Sequence, residues 1–80
     1  MKLGVIGCGA IGSVLCRYID SELEDSKLVA ICDIDEKKAK ELQQSLKSRP
    51  EITDVDGVIK ESEMVIEAVD PSIVRILMSV

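Results

Sequence analysis

Three glycines at the spacing G-x-G-x-x-G form the part of this sequence best suited to ligand chemistry. Gly7, Gly9 and Gly12 follow a short apolar segment and stand where a helical pattern begins. Gly7 permits a tight turn, Gly9 lets the backbone approach a phosphate group, and Gly12 lets the helix lie close to the strands. The free N–H groups of the first helical turn, around Ala10 and Ile11, would bind the phosphates, aided by the positive end of the helix dipole. The pattern therefore predicts a loop that binds the pyrophosphate of a dinucleotide.

An acidic residue completes this pattern at the distance that a dinucleotide fold requires. The expected position is about 20 residues beyond the loop, at the end of the next strand, and Asp33 lies 33 − 12 = 21 residues after Gly12. Its carboxylate would accept hydrogen bonds from the adenosine ribose hydroxyls and repel a 2′-phosphate, which favours NAD over NADP. Lys37 and Lys38 follow and would weaken that preference, although a solvated helix face is the more ordinary explanation for both lysines. The alternative is a purely structural strand-to-helix turn, which this context disfavours.

Apolar segments that alternate with helical patterns would position these residues. Strands are expected at Lys2–Ile6, Leu28–Cys32 and Met64–Val69, with a weaker edge strand within Ile52–Val55. Helices are expected from Ala10 to about Asp20, from Lys38 to Leu46 after an Asp35 N-cap, and over a turn or two within Val58–Ser62. This alternation predicts an α/β fold: an incomplete Rossmann-type, doubly wound parallel sheet of βαβ units with strand order 3-2-1-4.

Apolar residues at three- and four-residue steps give the first two helices one face each toward the sheet. In the first helix this face would consist of Ile11, Val14, Leu15, Tyr18 and Ile19. In the second helix it would consist of Ala39, Leu42 and Leu46.

The end of the sequence favours a further helix over a further strand. Asp70 followed by Pro71 is typical of an N-cap with proline at the first helical position. A parallel strand within Ile76–Val80 would need a crossover of about a dozen residues or more, and only Pro71 to Arg75 are available. We therefore expect a helix over Pro71–Val80, with a buried side formed by Ile73, Val74 and Leu77. The unpaired edge of the fourth strand would favour a homo-oligomer.

Composition and charge exclude several classes of function. The 80 residues include 10 basic and 15 acidic side chains, which give a net charge of −5, and Tyr18 is the one aromatic residue. A protein that binds the nucleic-acid backbone needs clustered basic residues, and one that binds single strands needs stacking aromatics. Nucleic acid is therefore not an expected partner. No apolar run is long enough for a membrane helix, so a membrane is not expected either.

The three cysteines, Cys8, Cys16 and Cys32, lack paired spacing, and the sequence has no histidine. No metal site is expected from such a set. Reduced thiols are typical of cytoplasmic proteins, and we expect that location. Cys8 stands at a helix N-terminus, where the pKa of a thiol can fall, so a reactive thiolate is an alternative to a packed side chain.

Three stretches together resemble the amino-terminal part of L-aspartate dehydrogenases of the archaeal and bacterial type. They are the opening Lys2–Gly12, the stretch Asp33–Ala39 after the second strand, and Val65–Ala68 followed by Val74-Arg75. The glycine loop is shared with homoserine dehydrogenases, dihydrodipicolinate reductases and many other nicotinamide enzymes, whereas the later stretches discriminate better. The likeness covers nearly all of the sequence.

The resemblance implies a cofactor and its contacts. Members of the family oxidise L-aspartate to iminoaspartate with NAD or NADP, in most cases as a route into NAD synthesis. By resemblance, NAD is the expected cofactor, with NADP as a second, and the dinucleotide would be held by Gly7, Gly9, Ala10, Ile11, Gly12 and Asp33. Ala68 and Val69 would lie beside it, toward the nicotinamide. The stretch from Val69 to Pro71 departs from the small polar residues usual there.

The resemblance also implies what this sequence lacks. Family members are longer, with a substrate domain and a catalytic histidine. Residues 1–80 would then be the amino-terminal part of a dinucleotide-binding domain, with no catalytic residue of their own, and only the whole protein would bind an amino-acid substrate. Two alternatives stay open: the same domain of another dehydrogenase, or a nucleotide-sensing regulatory module without catalysis.

Overall fold

A five-stranded sheet forms the centre of the computed structural model, which describes residues 1–70 and 72–78. Its strands are β1 (Lys2–Ile6), β2 (Lys27–Cys32), β3 (Glu51–Ile52), β4 (Met64–Asp70) and β5 (Ile73–Met78). Its helices are α1 (Ala10–Glu22), α2 (Glu36–Ser45) and α3 (Val55–Glu61). The strand order is β3-β2-β1-β4-β5, and the first four strands are parallel. The predicted α/β class and the order 3-2-1-4 are confirmed.

Helices cover both faces of the sheet, as a doubly wound fold requires. On one face α1 and α2 pack against β1 and its neighbours, in a core formed by Leu3, Val5, Cys16, Ile19, Leu28, Ile31, Ala39, Leu42, Leu46 and Ile66. On the other face α3 packs through Val58 against Ile6, Ala30 and Val65. Successive residues of β1 thus point to opposite cores, which explains why this strand is apolar from Leu3 to Ile6, the part that is buried.

The face of α1 that meets the sheet differs from the predicted one. Its buried residues are Gly12, Cys16 and Ile19. Val14 and Tyr18, predicted to face the sheet, are 65% and 49% exposed, so that part of the prediction was wrong. The cause is the contact between Gly12 and Gly7, which is so close that a Cβ on Gly12 would overlap the Gly7 carbonyl. This contact fixes the rotation of α1 about its own axis. Cys16 and Ile19, one and two turns beyond Gly12, therefore lie on the side that faces the sheet.

Helix α2 agrees with its prediction. The carboxylate of Asp35 accepts hydrogen bonds from the N–H groups of Lys37 and Lys38 at 3.1 and 3.3 Å, which is the expected N-cap. The predicted inner face, Ala39, Leu42 and Leu46, is buried. None of the three helices in residues 1–70 and 72–78 is long and apolar enough to cross a membrane.

Residues 73–78 form an antiparallel strand and not the predicted helix. β5 pairs with β4 so that Glu67 lies opposite Arg75 and Val65 lies opposite Leu77. The crossover argument applied only to a parallel partner, whereas an antiparallel strand needs only a short turn. Asp70 Oδ1 accepts hydrogen bonds from the Ser72 N–H and hydroxyl at 2.9 and 2.8 Å, which stabilise that turn.

The burial predicted for this segment was also wrong. Ile73, Val74 and Leu77 are about half exposed, because β5 lies at the edge of the sheet and no helix covers it in the described part of the chain. Pro71, Ser79 and Val80 belong to the predicted helix but lie outside the described residues.

Candidate functional site

The glycine loop connects the carboxyl end of β1 to α1, and its shape depends on two of its glycines. Gly7 has a φ of 101°, a left-handed conformation that side chains disfavour. A Cβ at Gly7 would also lie 2.8 Å from the Ala68 carbonyl oxygen at the end of β4. Gly12 lies against the Gly7 carbonyl from the other side. The fold therefore requires glycine at both positions.

Gly9 has a different role, because nothing in the protein requires glycine there. Its φ of −72° is accessible to any residue, and a Cβ at this position would meet no atom within 4 Å. The space beside Gly9 is open, next to the first turn of α1. A missing side chain at an open position leaves room for an external group to approach the backbone, as the predicted pyrophosphate would.

The first turn of α1 is also open to an anion. Gly9 is the N-cap and supplies no side-chain cap, and the first turn contains no acidic residue. Helices α2 and α3, in contrast, are capped by the carboxylates of Asp35 and Asp54. The initial N–H groups of α1, including those of Ala10 and Ile11, therefore keep their capacity to donate to a ligand.

Asp33 lies beside this loop and is hydrogen-bonded to it. Its Oδ2 accepts a hydrogen bond from the Cys8 N–H at 2.5 Å, and its Oδ1 accepts one from the Asp35 N–H at 2.7 Å. A carboxylate offers about four acceptor positions, so each oxygen retains one for a further donor. The arrangement can therefore hold the glycine loop and still accept hydrogen bonds from two neighbouring hydroxyl groups of a ribose.

The carboxyl end of β4 completes the site. Ala68 is buried at 8% exposure against the glycine loop, and Val69 beyond it is 64% exposed. A Cβ on Gly7 would lie 3.1 Å from the Val69 N, which shows how closely the two segments approach. The structure thus brings the predicted residues of β4 to the same edge as the loop and Asp33. Glu67, on the same strand, forms an ion pair with Arg75 of β5, with 3.8 Å between Glu67 Oε1 and Arg75 Nε.

A groove of about 260 Å³ lies next to the loop, between α1 and α2. It is lined by Cys8, Gly9, Ala10, Ser13, Arg17, Lys38, Glu41 and Leu42. The glycine motif and its acidic partner do not point to Ser13, Arg17 or Glu41, which the fold brings to the groove. Ser13 and Arg17 are four residues apart on α1, and Lys38 and Glu41 are three apart on α2, so each pair lies on one face of its helix.

The surroundings of the Cys8 thiol disfavour its ionisation to a nucleophilic thiolate. Burial, together with the nearby Asp33 and Cys32, raises its pKa to about 11. Its Sγ lies 3.8 Å from the Cys32 carbonyl oxygen, and the residue is only 4% exposed. The alternative of a reactive thiolate at Cys8 was wrong, because burial and neighbouring negative charge outweigh the helix N-terminus.

Comparison with known proteins agrees with this fold. Residues 1–76 match the model of an oxidoreductase family with an NAD-binding Rossmann fold, Gfo/Idh/MocA. The chain is similar to the L-aspartate dehydrogenase of Methanosarcina acetivorans, at 37% identity over 78 residues, which cover 96% of this chain and 29% of that protein. For the L-aspartate dehydrogenase of Methanosarcina mazei, the identity is 38% with the same shares of each chain. The chain therefore spans less than a third of the length of these relatives.

A solved structure shows the same fold. The myo-inositol dehydrogenase of Lactobacillus casei, determined in complex with NAD(H) and myo-inositol, superposes with a TM-score of 0.77 at 24% identity. The match covers 85% of this chain and 21% of that one.

Proposed function

The chain belongs to the oxidoreductase family with an NAD-binding Rossmann fold, and from this premise we propose which of its residues bind NAD. Gly7, Gly9 and Gly12 form the pyrophosphate loop, and the N–H groups around Ala10 and Ile11 donate to the phosphates. The observation that carries the proposal is Gly9, whose absent side chain serves no contact within the protein and leaves open space beside an uncapped helix.

Asp33 is proposed to bind the adenosine ribose. Its two oxygens are already oriented by the N–H groups of Cys8 and Asp35 and each retains an acceptor position. Ala68 and Val69, at the end of β4, are proposed to lie beside the nicotinamide half, since ligands of open parallel sheets bind beyond the carboxyl ends of the strands. These residues bind and orient, and none of them is proposed to transfer a proton.

Calorimetric titration of the chain with NAD tests this assignment. Saturable binding with a stoichiometry of one is the expected result, and inorganic phosphate should compete only weakly because it lacks the ribose contacts. A chain that remains folded, as judged by circular dichroism, and binds no NAD would contradict the assignment of the loop.

For the whole protein we propose the activity of an L-aspartate dehydrogenase. The support is the identity of 37–38% to the two Methanosarcina enzymes over 78 residues. Bound NAD supplies the hydride acceptor for oxidation of the substrate Cα–H bond. Residues 1–80 are proposed to be the amino-terminal part of the dinucleotide-binding domain, and the groups that bind the substrate are then supplied by the rest of the protein.

The activity is tested with the whole protein and nicotinamide absorbance as the readout. L-aspartate with NAD should give reduced nicotinamide, whereas D-aspartate and L-homoserine should give little. Turnover of L-homoserine without turnover of L-aspartate would identify a different dehydrogenase and would leave the NAD site assignment intact.

We propose two further properties on separate grounds. All three cysteines are free thiols, which supports a cytoplasmic location because such compartments keep thiols reduced.

The edge strand β5 carries one charged residue, Arg75, which is already paired with Glu67. Since no unpaired charge on this strand opposes pairing with a second copy, we propose a homo-oligomer through β5. Light scattering of the wild type and of Ile76→Lys tests it, and a monomeric wild type would refute it.

A further inference from the structure

One serine side chain is hydrogen-bonded to both peptide groups that flank Gly9. The Ser13 hydroxyl, on α1, donates to the carbonyl oxygens of Cys8 and Gly9 at 2.9 and 2.7 Å. The Cys8 carbonyl belongs to the peptide group before the Gly9 Cα, and the Gly9 carbonyl belongs to the peptide group after it. A hydroxyl has one proton, so the two acceptors share it. Ser13 therefore restrains the backbone on both sides of the glycine that the proposed pyrophosphate site requires.

A second serine of the same helix shows how Ser13 differs from an ordinary helical serine. The Ser21 hydroxyl donates to the Arg17 carbonyl oxygen, four residues back, at 2.8 Å, as serines within helices commonly do. Ser13 forms the equivalent bond to Gly9 and an additional one to Cys8, which lies outside the helix. This additional bond joins α1 to the loop. Glycine has the most freely rotating backbone, so the peptide groups around Gly9 are where such a restraint has the largest effect.

The position of these two carbonyl groups determines where the next N–H groups point. In a trans peptide group, the C=O and the N–H of the following residue point in opposite directions. With the Cys8 and Gly9 carbonyls bonded to Ser13, the N–H groups of Gly9 and Ala10 point away from the Ser13 hydroxyl. Ala10 is the first residue of α1, so its N–H has no acceptor within the helix. A phosphate is attracted by these N–H groups and would be repelled by a carbonyl oxygen in their place.

We propose that Ser13 is a positioning residue for the pyrophosphate of NAD. Its hydroxyl keeps the Cys8 and Gly9 carbonyls on the helix side, so that the N–H groups of Gly9 and Ala10 face the phosphates. The inference rests on the proposed NAD site, because it concerns the loop of that site. Ser13 acts through the backbone of the loop and needs no contact with the ligand. Without the hydroxyl, the peptide groups around Gly9 rotate more freely, and binding must also order them, which lowers the affinity.

Titration of the full chain with NAD and, separately, with adenosine tests this role. Adenosine carries the ribose for Asp33 but has no phosphate for the loop. Ser13→Ala should weaken NAD binding by about five- to tenfold, as expected for loss of one hydrogen bond and of the order it imposes. Adenosine binding, followed by NMR titration, should stay unchanged. Ser21→Ala is the matched control, because it removes a similar hydroxyl-to-carbonyl bond of α1 that does not reach the loop, and it should bind NAD like the wild type.

A pair of variants with the same shape separates the hydroxyl from the volume of the side chain. Ser13→Thr keeps the hydroxyl, which in helices bonds carbonyl groups of the preceding turn, so this variant should bind NAD like the wild type. Ser13→Val has the same shape without the hydroxyl and should bind NAD as weakly as Ser13→Ala. In amide NMR spectra, NAD should shift the Gly9 and Ala10 signals strongly in the wild type and in Ser13→Thr, and less in Ser13→Val.

The outcomes distinguish the role of Ser13 from the NAD site itself. If Ser13→Ala binds NAD like the wild type, the positioning role is overturned and the NAD site stands. The role is also overturned if NAD and adenosine weaken equally, or if Ser13→Thr is as impaired as Ser13→Val. Loss of the fold in both Ser13→Ala and Ser13→Val, judged by circular dichroism, would overturn it too, because the hydroxyl would then be needed for folding. If the folded wild type binds no NAD, both assignments fail.

Discussion

The Cys8 N–H donates a hydrogen bond to Asp33 Oδ2 at 2.5 Å and thereby ties the glycine loop to the end of β2. The other oxygen of the same carboxylate accepts from the Asp35 N–H, and Asp35 in turn caps α2. Loop, strand end and second helix are thus connected through one carboxylate. A ligand that binds to Asp33 would engage a group already held in place, which lowers the entropic cost of forming the complex.

Asp33→Ala should weaken NAD binding by about tenfold or more, because two charge-assisted hydrogen bonds to the ribose are lost. Calorimetry of the variant against the wild type measures the change. Asp35→Asn is the matched control, since asparagine caps a helix about as well as aspartate and the substitution removes one neighbouring charge. Equal losses in both variants would mean that general charge, and not a ribose contact, explains the effect.

The glycines of the loop should respond differently to the same substitution. Gly9→Ala should weaken NAD binding while leaving the melting temperature close to that of the wild type, because its Cβ meets no protein atom. Gly7→Ala should lower the free energy of unfolding by at least about 1–2 kcal/mol, the cost of placing a side chain in left-handed backbone. Thermal melts and NAD titrations of both variants check this contrast. A Gly9→Ala variant that melts as early as Gly7→Ala would show that both glycines are structural.

The parts of the site that can be predicted from the sequence are those marked by residue types at short, fixed spacings. The loop follows from glycine spacing, and Asp33 from its distance to the loop, because a parallel βαβ unit brings consecutive strand ends to one edge. The Asp35 cap is likewise a local signal. The hydrogen bond from the Cys8 N–H to Asp33 Oδ2 joins segments 25 residues apart, and only the folded chain shows it.

The errors have identifiable physical causes. The face of α1 was assigned from apolar side chains, whereas the side that meets the sheet is set by Gly12, which has no side chain for a hydrophobicity pattern to register. At the end of the chain, Asp70 was interpreted as a helix cap, but the same carboxylate bonds the Ser72 N–H in a turn. In a helix N-cap and in this turn alike, the aspartate side chain accepts a hydrogen bond from an N–H shortly after it. The local sequence therefore does not distinguish a helix start from a turn.

Asp20 joins α1 to the segment after α2 and should make stability depend on pH. Its carboxylate accepts hydrogen bonds from the N–H groups of Lys47 and Ser48 at 2.8 and 3.0 Å. Burial alone would raise the Asp20 pKa, but these two donors and the Lys47 charge outweigh it, so the pKa is lowered. Because the pKa is lower in the folded state, the contribution is present above the unfolded value and is lost as pH falls through the folded one.

Asp20→Asn should therefore lower the melting temperature at neutral pH. In a chain of this size, each kcal/mol lost from the free energy of unfolding lowers the melting temperature by roughly 4–8 °C. The difference from the wild type should begin to shrink below about pH 4, the pKa of an unfolded aspartate, and should be smallest below the lowered folded pKa, where the carboxyl is protonated in both states. Glu24→Gln is the control, since Glu24 is exposed and donates or accepts no side-chain hydrogen bond among the described residues. A difference that stays constant across this pH range would refute the assignment.

The three thiols should react slowly with iodoacetamide in the folded protein, and Cys16 should react last. With a pKa of about 11, only about one Cys8 thiol in a thousand is ionised at pH 8, compared with about a quarter for an ordinary cysteine. Burial also raises the pKa of Cys16 to about 12 and that of Cys32 above its usual value. Cys32 is half-buried, whereas Cys8 and Cys16 are 4% and 0% exposed, so the expected order is Cys32, Cys8, Cys16. Peptide mass spectrometry over a time course measures this order, with urea-unfolded protein as the control.

Rapid modification of Cys8 in the folded chain would mean that its thiolate is stabilised after all. Bound NAD should then protect Cys8 from the reagent, because Cys8 lies in the proposed nucleotide loop.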